Sequence, residues 1–358
     1  MINMDKKVLK PLQIGELTAE KPIIQGGMGV GVSRSSLAGA VAAEGGIGII
    51  STAQIGYDEE GFEKDQAGCN RIAIRKHICR AKEIAGGKGL VGVNIMVALK
   101  HYKEHVEEAV RAGADVIISG AGLPMDLPKL VGDSVTKIAP IVSSRRATQL
   151  ILKMWAHRYQ RTADFIVVEG PKAGGHLGFS RDQLKDIENL DYDKEIREII
   201  ACKREYEEKF QTKIPVVVAG GIFDRNDIEH VMELGADGVQ IASRFVATKE
   251  CDASDLYKQA YIQAEKKDIQ IIQSPVGMPG RALRNNFIKE LEISRKPVTK
   301  CYNCLEKCDP RTVPYCITKA LIEAVQGNTE DGLIFCGENV DRIREMTTVH
   351  DLMQELCY

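Results

Sequence analysis

One histidine of the chain lies in a setting suited to proton chemistry. His176 follows Gly174 and Gly175 in the run Glu-Gly-Pro-Lys-Ala-Gly-Gly-His that begins at residue 169. An imidazole in such a loop can face a cofactor and titrate near neutral pH as a general acid or base. The other histidines lie in helical or polar stretches, where surface or capping roles are usual. A single loop histidine is more often structural, but four glycine-rich loops surround this one, so His176 is the predicted catalytic residue.

The glycine-rich runs follow predicted strands, and they predict a phosphate site. Successive backbone N–H groups in such loops form a nest that binds anions. In a β/α barrel the loops after strands seven and eight usually hold the phosphate. This rule places a phosphate near Gly220, Gly221, Ala242 and Ser243. Each glycine could instead serve only a tight turn, and the convergence of four loops favours the ligand site.

The first glycine run must be compared with the dinucleotide-binding motif, because it follows a strand and opens a helix. Gly27, Gly29 and Gly31 are spaced by two, but Val32 and Arg34 stand where the third glycine of G-x-G-x-x-G belongs. A Rossmann domain is therefore not predicted.

Asn94 is a polar residue in an otherwise apolar strand, Val-Asn-Ile-Met. A buried amide needs hydrogen-bond partners, and a flavin ring could supply them. A bond to the neighbouring strand end is an equal alternative.

Four of the ten cysteines are grouped near the C-terminus, with the spacing C-x2-C-x3-C-x7-C from Cys301 through Cys304 and Cys308 to Cys316. Four thiolates suit an iron–sulfur cluster such as [4Fe–4S] or a structural zinc ion. The spacing lacks the paired C-x2-C of zinc ribbons, and it resembles cluster-binding runs of some flavin reductases, which favours iron–sulfur. Four free thiols in a flexible lid are the alternative.

Composition narrows the class of partner. The 358-residue chain is 44% hydrophobic and 27% charged, with a net charge of -2. It offers no global attraction to nucleic acid or anionic membranes, so a small-molecule substrate is expected. The N-terminus lacks the apolar stretch of a signal peptide, and no run of about 18 apolar residues occurs, so a cytoplasmic location is predicted. A homodimer is compatible with the sequence, which does not determine the oligomeric state.

Short apolar runs alternate with amphipathic helical stretches, as in parallel β/α units. The resulting fold class is α/β, a TIM (β/α)8 barrel with a smaller lid subdomain near the C-terminus. We predict a barrel over 1–250 with a charged insertion at 181–212, a lid with the cysteine cluster over 251–316, and a helical segment over 317–358 that packs back on the barrel. The predicted strands are Pro22 to Gln25, Gly46 to Ser51, Val91 to Met96, Asp115 to Gly120, Ile138 to Ser143, Phe165 to Gly170, Pro215 to Gly220 and Gly238 to Phe245.

Taken together, these runs resemble the nitronate monooxygenase (2-nitropropane dioxygenase) family, which also includes the FMN-dependent type II enoyl-acyl carrier protein reductases. The resemblance covers nearly the whole chain. Its motifs are the run from Pro22 to Met28, the run from Gly92 to Met96, Glu-Gly-x-x-Ala-Gly-Gly-His-x-Gly from residue 169, Ala219-Gly220-Gly221-Ile222 and Ser243-Arg244-Phe245.

The resemblance implies an FMN barrel in which His176 matches the catalytic histidine. Strand eight has Ala242-Ser243 where many relatives have Gly-Thr, the charged insertion is longer than usual, and typical members lack the cysteine cluster. The residues that match flavin contacts are Gln25, Gly26, Gly27, Met28, Asn94, Glu169, Gly174, Gly175, Gly220, Gly221, Gln240, Ala242 and Ser243.

The leading functional hypothesis is FMN-dependent oxidation of alkyl nitronates, with His176 as the base. The alternative is reduction of an enoyl thioester, free or bound to a carrier protein, with NADH or NADPH as co-substrate. The cysteine cluster, if it binds iron and sulfur, favours a reductive role. A remote alternative is a barrel that binds a phosphorylated metabolite without redox chemistry.

Overall fold

The computed structural model describes residues 8–358. Residues 1–7, which are the start of the predicted domain 1–250, lie outside the described residues. The strands of the described part are short, and most of their residues are buried. In chain order they are β1 (Leu12–Ile14), β2 (Leu17–Ala19), β3 (Ile23–Gln25), β4 (Ile47–Ser51), β5 (Leu90–Met96), β6 (Val116–Gly120), β7 (Lys137–Val142), β8 (Ile166–Glu169), β9 (Gly175–His176), β10 (Val216–Ala219), β11 (Gly238–Ile241), β12 (Ile269–Gln273) and β13 (Pro279–Leu283).

Eight parallel strands close into a barrel in the order β3 to β8, then β10 and β11. The last strand pairs with the first, with Ile241 opposite Gln25. The predicted TIM barrel is therefore confirmed, and each predicted barrel strand has its counterpart.

The eighth strand is shorter than predicted. We expected it to run from Gly238 to Phe245, but it ends at Ile241, and residues Ser243–Val246 form a short helix. The change occurs at Ala242, whose ψ of −64° leaves the extended region. The carboxyl end of this strand thus turns at once into a helix, beside the predicted phosphate loops.

The barrel interior is filled by large apolar side chains such as Ile24, Ile49 and Val167, none of them exposed. The hairpin of β1 and β2, which the sequence did not predict, adds Leu12 and Ile14 to the same cluster. The hairpin also lies beside the first residue of β7, since Glu16 pairs with Lys137 at 2.8 Å. It therefore closes the amino-terminal end of the barrel, opposite the end where TIM barrels form their sites.

Helices form the outer layer, and their caps follow from the sequence. The longest begins after Asp65, whose carboxylate accepts the Gly68 N–H at 2.8 Å, and ends at Gly86 in the left-handed region. In chain order the α-helices are α1 (Ser35–Ala43), α2 (Gln66–Ala85), α3 (Tyr102–Arg111), α4 (Leu127–Val131), α5 (Arg145–Tyr159), α6 (Arg181–Lys185), α7 (Tyr192–Cys202), α8 (Arg204–Phe210), α9 (Arg225–Glu233), α10 (Ser243–Val246), α11 (Asp255–Ile262), α12 (Asn286–Ile293), α13 (Ile317–Val325) and α14 (Val349–Cys357).

Two segments depart from the β/α repeat. The charged stretch 181–212 contains α6, α7 and α8 and lies between β9 and β10. The segment after α11 forms a small antiparallel sheet in the order β12, β13, β9. Because β9 holds Gly175 and His176, this sheet connects the later segment with the carboxyl end of the barrel.

The end of the chain lies against the barrel. Glu355 on α14 pairs with Arg244 at 2.7 Å, and His350 contacts Glu44 at 2.9 Å. Nowhere in residues 8–358 is a helix both long enough and apolar enough to cross a membrane.

Candidate active site

A cavity of about 390 Å³ opens at the carboxyl end of the barrel. This size is in the range of small-molecule and cofactor sites. The glycine loops after β3, β8 and β10 and the turn after β11 contribute to its wall, and the turn between β12 and β13 contributes Met278. The four runs that the sequence predicted to converge therefore do meet.

Nearly all of the predicted site residues line this cavity. They are Gly26, Gly27, Met28, Asn94, Glu169, Gly174, Gly175, His176, Gly220, Gly221, Gln240, Ala242 and Ser243.

Gln25 is the exception among the predicted flavin contacts. It is fully buried, and its side chain is bonded to the next strand, accepting the Ile49 N–H at 3.1 Å and donating to the Ile49 carbonyl at 3.2 Å. It does not line the cavity. The prediction is corrected accordingly, because a buried strand amide satisfied by its neighbours stabilises the β3–β4 pairing.

Glycine is required at specific points of the wall. A Cβ atom on Gly27 would lie 2.5 Å from the Cβ of Asn94. Gly220 and Gly221 have φ of +89° and +95°, in the region that favours glycine. At Gly27 the backbone passes too close to Asn94 for any side chain to fit. At Gly220 and Gly221 two consecutive residues with positive φ expose the backbone to the cavity.

Two amide side chains in the wall lack protein partners. The Oε1 atom of Gln240 is buried and accepts no hydrogen bond. The Asn94 side chain forms none with any residue in 8–358; its backbone carbonyl accepts from Thr52 at 3.1 Å. Two interpretations of Asn94 were open, a ligand contact and a side-chain bond to a neighbouring strand. The side-chain bond is not formed with any residue in 8–358. Buried polar groups need partners, so the buried Oε1 atom of Gln240 calls for a donor from a polar ligand.

His176 lies where the carboxyl end of the barrel meets the small sheet of β12, β13 and β9. As part of β9 it is opposite Gly280 of β13, and its Nε2 is 2.7 Å from the Oγ of Ser274. Its ring contacts Phe335 edge-on, with 5.0 Å between centroids. Burial lowers the pKa of His176 to about 4, so the ring is neutral at pH 7. No residue among those described bonds its Nδ1 atom, and this nitrogen is available as a proton acceptor if Ser274 accepts from Nε2.

Glu169, at the end of β8, is the second titratable group in the wall. Burial raises the pKa of this carboxyl to about 8, so it is protonated and uncharged at pH 7. The Tyr192 hydroxyl donates to the Glu169 backbone carbonyl at 2.9 Å, which fixes the strand end. A neutral acid can both donate and accept a hydrogen bond.

Sequence reasoning missed the residues of the β12–β13 hairpin that support the histidine loop. Arg281 on β13 is buried, pairs with Glu338 at 2.8 Å, and donates to the carbonyls of Pro171 and Ala173. Ser274 follows β12 and bonds His176. Both lie about a hundred residues from the loop they support, and the local pattern around each predicts only a turn or a strand.

The four clustered cysteines lie apart from this cavity and line a second, smaller one. All four are free thiols. In the described part of the chain, no three histidine, cysteine, aspartate or glutamate side chains are arranged to hold a single metal ion. A preformed zinc site is therefore not present among residues 8–358.

The sequence over residues 10–358 matches the family model described as nitronate monooxygenase. The chain belongs to that family. This membership confirms the resemblance predicted from the motifs and makes the protein an oxidoreductase. The non-redox interpretation of the barrel is correspondingly disfavoured.

Individual relatives are distant. A Mycobacterium tuberculosis enzyme named (3aS,4S,5R,7aS)-5-hydroxy-7a-methyl-1-oxo-octahydro-1H-indene-4-carboxyl-CoA dehydrogenase is 26% identical, and the match covers 76% of this chain and 66% of the relative. A probable nitronate monooxygenase of Bacillus subtilis is 22% identical, with 94% and 95% covered. The solved structure of FabK from Thermotoga maritima superposes with a TM-score of 0.69 at 23% identity, covering 96% and 93%, and shows the shared fold.

Proposed function

We propose that this protein is an FMN-dependent oxidoreductase that acts on alkyl nitronates and their parent nitroalkanes, with His176 as the catalytic base. The observation that carries the proposal is a neutral imidazole, with one nitrogen unpaired among the described residues, in the wall of a cavity built from glycine loops. A neutral histidine can take a proton, and this cavity supplies room for a cofactor beside it.

The residues of the cavity fit FMN. Gln240 and Asn94 present amide groups without partners in the described chain, which suits a ring rich in hydrogen-bond donors and acceptors. Gly220 and Gly221 lie beside Ser243 at the end where phosphates bind in such barrels. When bound, FMN supplies the electron-accepting chemistry, and dioxygen serves as the final acceptor.

The protein's own contribution is proton transfer and positioning. A carbon next to a nitro group is acidic because the nitro group stabilises the carbanion. The Nδ1 atom of His176 can remove that proton, while Ser274 holds Nε2 and fixes the ring. Phe335, Met278 and Leu321 give the site an apolar part that limits water around the reacting carbon.

A spectrum and a substrate comparison test this proposal. The purified protein is expected to absorb at about 450 nm and to release FMN on denaturation. Oxygen uptake is expected with an alkyl nitronate in the absence of any nicotinamide. A colourless protein without releasable flavin would overturn the redox assignment.

Replacement of the histidine separates its role from binding. His176→Ala is expected to lower turnover of a neutral nitroalkane about a hundredfold or more. It should largely spare the preformed nitronate, which has already lost that proton. His157→Ala, at an exposed histidine of α5, is the matched control. Equal losses on both substrates would remove His176 from the role of base.

A second candidate is oxidation or reduction of a thioester, including reduction of an enoyl thioester by NADH or NADPH. The observation that favours it is the name of the Mycobacterium tuberculosis relative, which acts as a dehydrogenase on a coenzyme A ester. In this alternative the flavin is bleached by NADH or NADPH without air, and an enoyl thioester restores the colour. Bleaching with no oxygen uptake on nitronates would favour this candidate over the first.

A further inference from the structure

The cysteines of the C-x2-C-x3-C-x7-C motif share one enclosed space. Although Cys316 is separated from Cys301 by 14 intervening residues, both line the same small cavity, together with Cys304 and Cys308. The rest of the wall is largely apolar, and includes Leu305. Convergence of all four thiols on one cavity is not expected for cysteines scattered in a loop.

The segment that carries these thiols is anchored to the barrel. The Lys100 N–H donates to the Cys304 carbonyl at 3.1 Å, and the Glu306 N–H donates to the Ala98 carbonyl at 3.0 Å. Leu99 and Leu305 form an antiparallel bridge between these bonds. The first part of the motif is therefore fixed against the loop after β5.

Backbone N–H groups lie near two of the four sulfurs. The Asn303 N–H donates to the Cys301 sulfur at 3.3 Å, from a left-handed turn in which Asn303 has φ of +50°. Cys316 is the N-cap residue of α13, where unpaired N–H groups of the first turn favour negative charge. Hydrogen bonds to sulfur of this kind are typical around iron–sulfur clusters.

The charges near the motif also favour an anionic centre. Residues 296–319 hold five lysines and arginines against two acidic residues. Of these, Lys300 is paired with Glu63, Arg311 with Asp309 and Lys296 with Glu290, which leaves Lys307 and Lys319 against Glu306. A cluster bound by four thiolates carries net negative charge, which this surrounding stabilises.

The sequence spacing of the thiols favours a cluster over a single zinc ion, because C-x2-C-x3-C-x7-C lacks the paired C-x2-C of zinc ribbons. In residues 8–358 no three ligand-type side chains are arranged to hold a single metal ion. In a [4Fe–4S] cluster each of the four cysteines binds one iron atom. We propose that Cys301, Cys304, Cys308 and Cys316 bind a [4Fe–4S] cluster.

One helix connects this site with the active-site cavity. Cys316 precedes α13, and Leu321 of the same helix lines the large cavity. Five residues at 1.5 Å each place these two points about 7.5 Å apart along the helix axis. The cluster site is thus a neighbour of the flavin cavity, although the proposal does not depend on the flavin.

The test is anaerobic purification of the full chain, followed by assays of iron, acid-labile sulfide and flavin in the same sample. We expect about four iron and four sulfide per chain, and an electron paramagnetic resonance signal after reduction with dithionite. Protein that is purified without iron should gain it on anaerobic incubation with ferrous iron and sulfide. Zinc without sulfide, or no metal after that incubation, would overturn the proposal.

Variants separate the cluster from the fold and from the flavin. Cys304→Ser and the exposed Cys301→Ser are expected to lose most of the iron and sulfide while keeping their flavin content. Cys79→Ser, at an exposed cysteine of α2, is the matched control and should retain both. Iron retained at the control level in both cluster variants would contradict the assignment. Because flavin is assayed independently, failure of the cluster is distinguishable from failure of the proposed function.

Discussion

The Nε2 atom of His176 and the Oγ atom of Ser274 lie 2.7 Å apart, although the residues are 98 positions apart in the chain. His176 belongs to the end of the barrel and Ser274 to the turn after β12. The serine hydroxyl also accepts the Val276 N–H at 3.3 Å, so it is held by its own turn. The β12–β13 hairpin therefore sets the orientation of the imidazole.

Ser274→Ala should weaken the proposed proton transfer without removing the cofactor. Loss of a hydrogen bond worth about 1 kcal/mol is expected to lower kcat on a nitroalkane about fivefold. Flavin content and KM should change little. Steady-state kinetics on the variant check this result, with Ser294→Ala as a control at an exposed serine that follows α12. An unchanged kcat would show that the imidazole is positioned by other contacts.

The pH profile reports the environment of His176. Because burial lowers its pKa to about 4, the ring stays unprotonated well below the ordinary value of 6.5. Turnover of a nitroalkane should therefore be level between pH 5 and 7 and fall only as the pH approaches 4. The profile of kcat/KM, with circular dichroism at each pH to confirm folding, is the measurement. A descending limb near pH 6.5 would mean that the functional imidazole is solvated.

Much of the fold was predictable because the barrel strands are largely apolar and many of the junctions carry glycine. Those signals are local. The β1–β2 hairpin was missed because its strands are three residues long, and the eighth strand was extended too far because Ser243-Arg244-Phe245 carries no local stop signal. The loops of the site were predictable for the same reason, because their glycines are local signals in the sequence. Ser274 and Arg281 were not, because their contacts with the histidine loop form only through tertiary pairing.

Gln25 was predicted as a flavin contact, but it does not line the cavity. A polar residue at the end of an apolar strand has the same sequence signature whether it faces a ligand or bonds the neighbouring strand. Here the side chain bonds Ile49, whereas Asn94, with the same signature, has no side-chain partner in the described chain. Only the register of adjacent strands distinguishes the two.

Glu169→Gln should stabilise the flavin-free protein in a pH-dependent way. The folded carboxyl has its pKa raised to about 8, so the unfolded chain releases this proton at lower pH than the folded one. The free energy of unfolding therefore falls from about pH 4.5 to 8 because of this residue. Glutamine does not titrate, and the gap in Tm between variant and parent should widen from pH 5 to pH 8. Glu188→Gln, at an exposed glutamate, should show a constant gap; a constant gap for Glu169→Gln would refute the prediction.

Arg281→Ala should damage the histidine loop through two losses at once. The change removes the bonds to the carbonyls of Pro171 and Ala173, and it breaks the ion pair with Glu338, which keeps only its second partner, Lys266. Losing the charge-assisted hydrogen bonds of a buried arginine costs about 2 kcal/mol in unfolding free energy, and flavin binding should weaken because the loop lines the cavity. Urea unfolding and a flavin titration measure the two effects.

The neighbouring arginine provides the control for this prediction. Arg284 also pairs with a glutamate, Glu292 at 2.7 Å, but both side chains are substantially exposed. Arg284→Ala should cost little stability, because its exposed ion pair is screened by solvent, and it should leave flavin affinity unchanged. If the two alanine variants were equally stable, Arg281 would have no special role in supporting the loop.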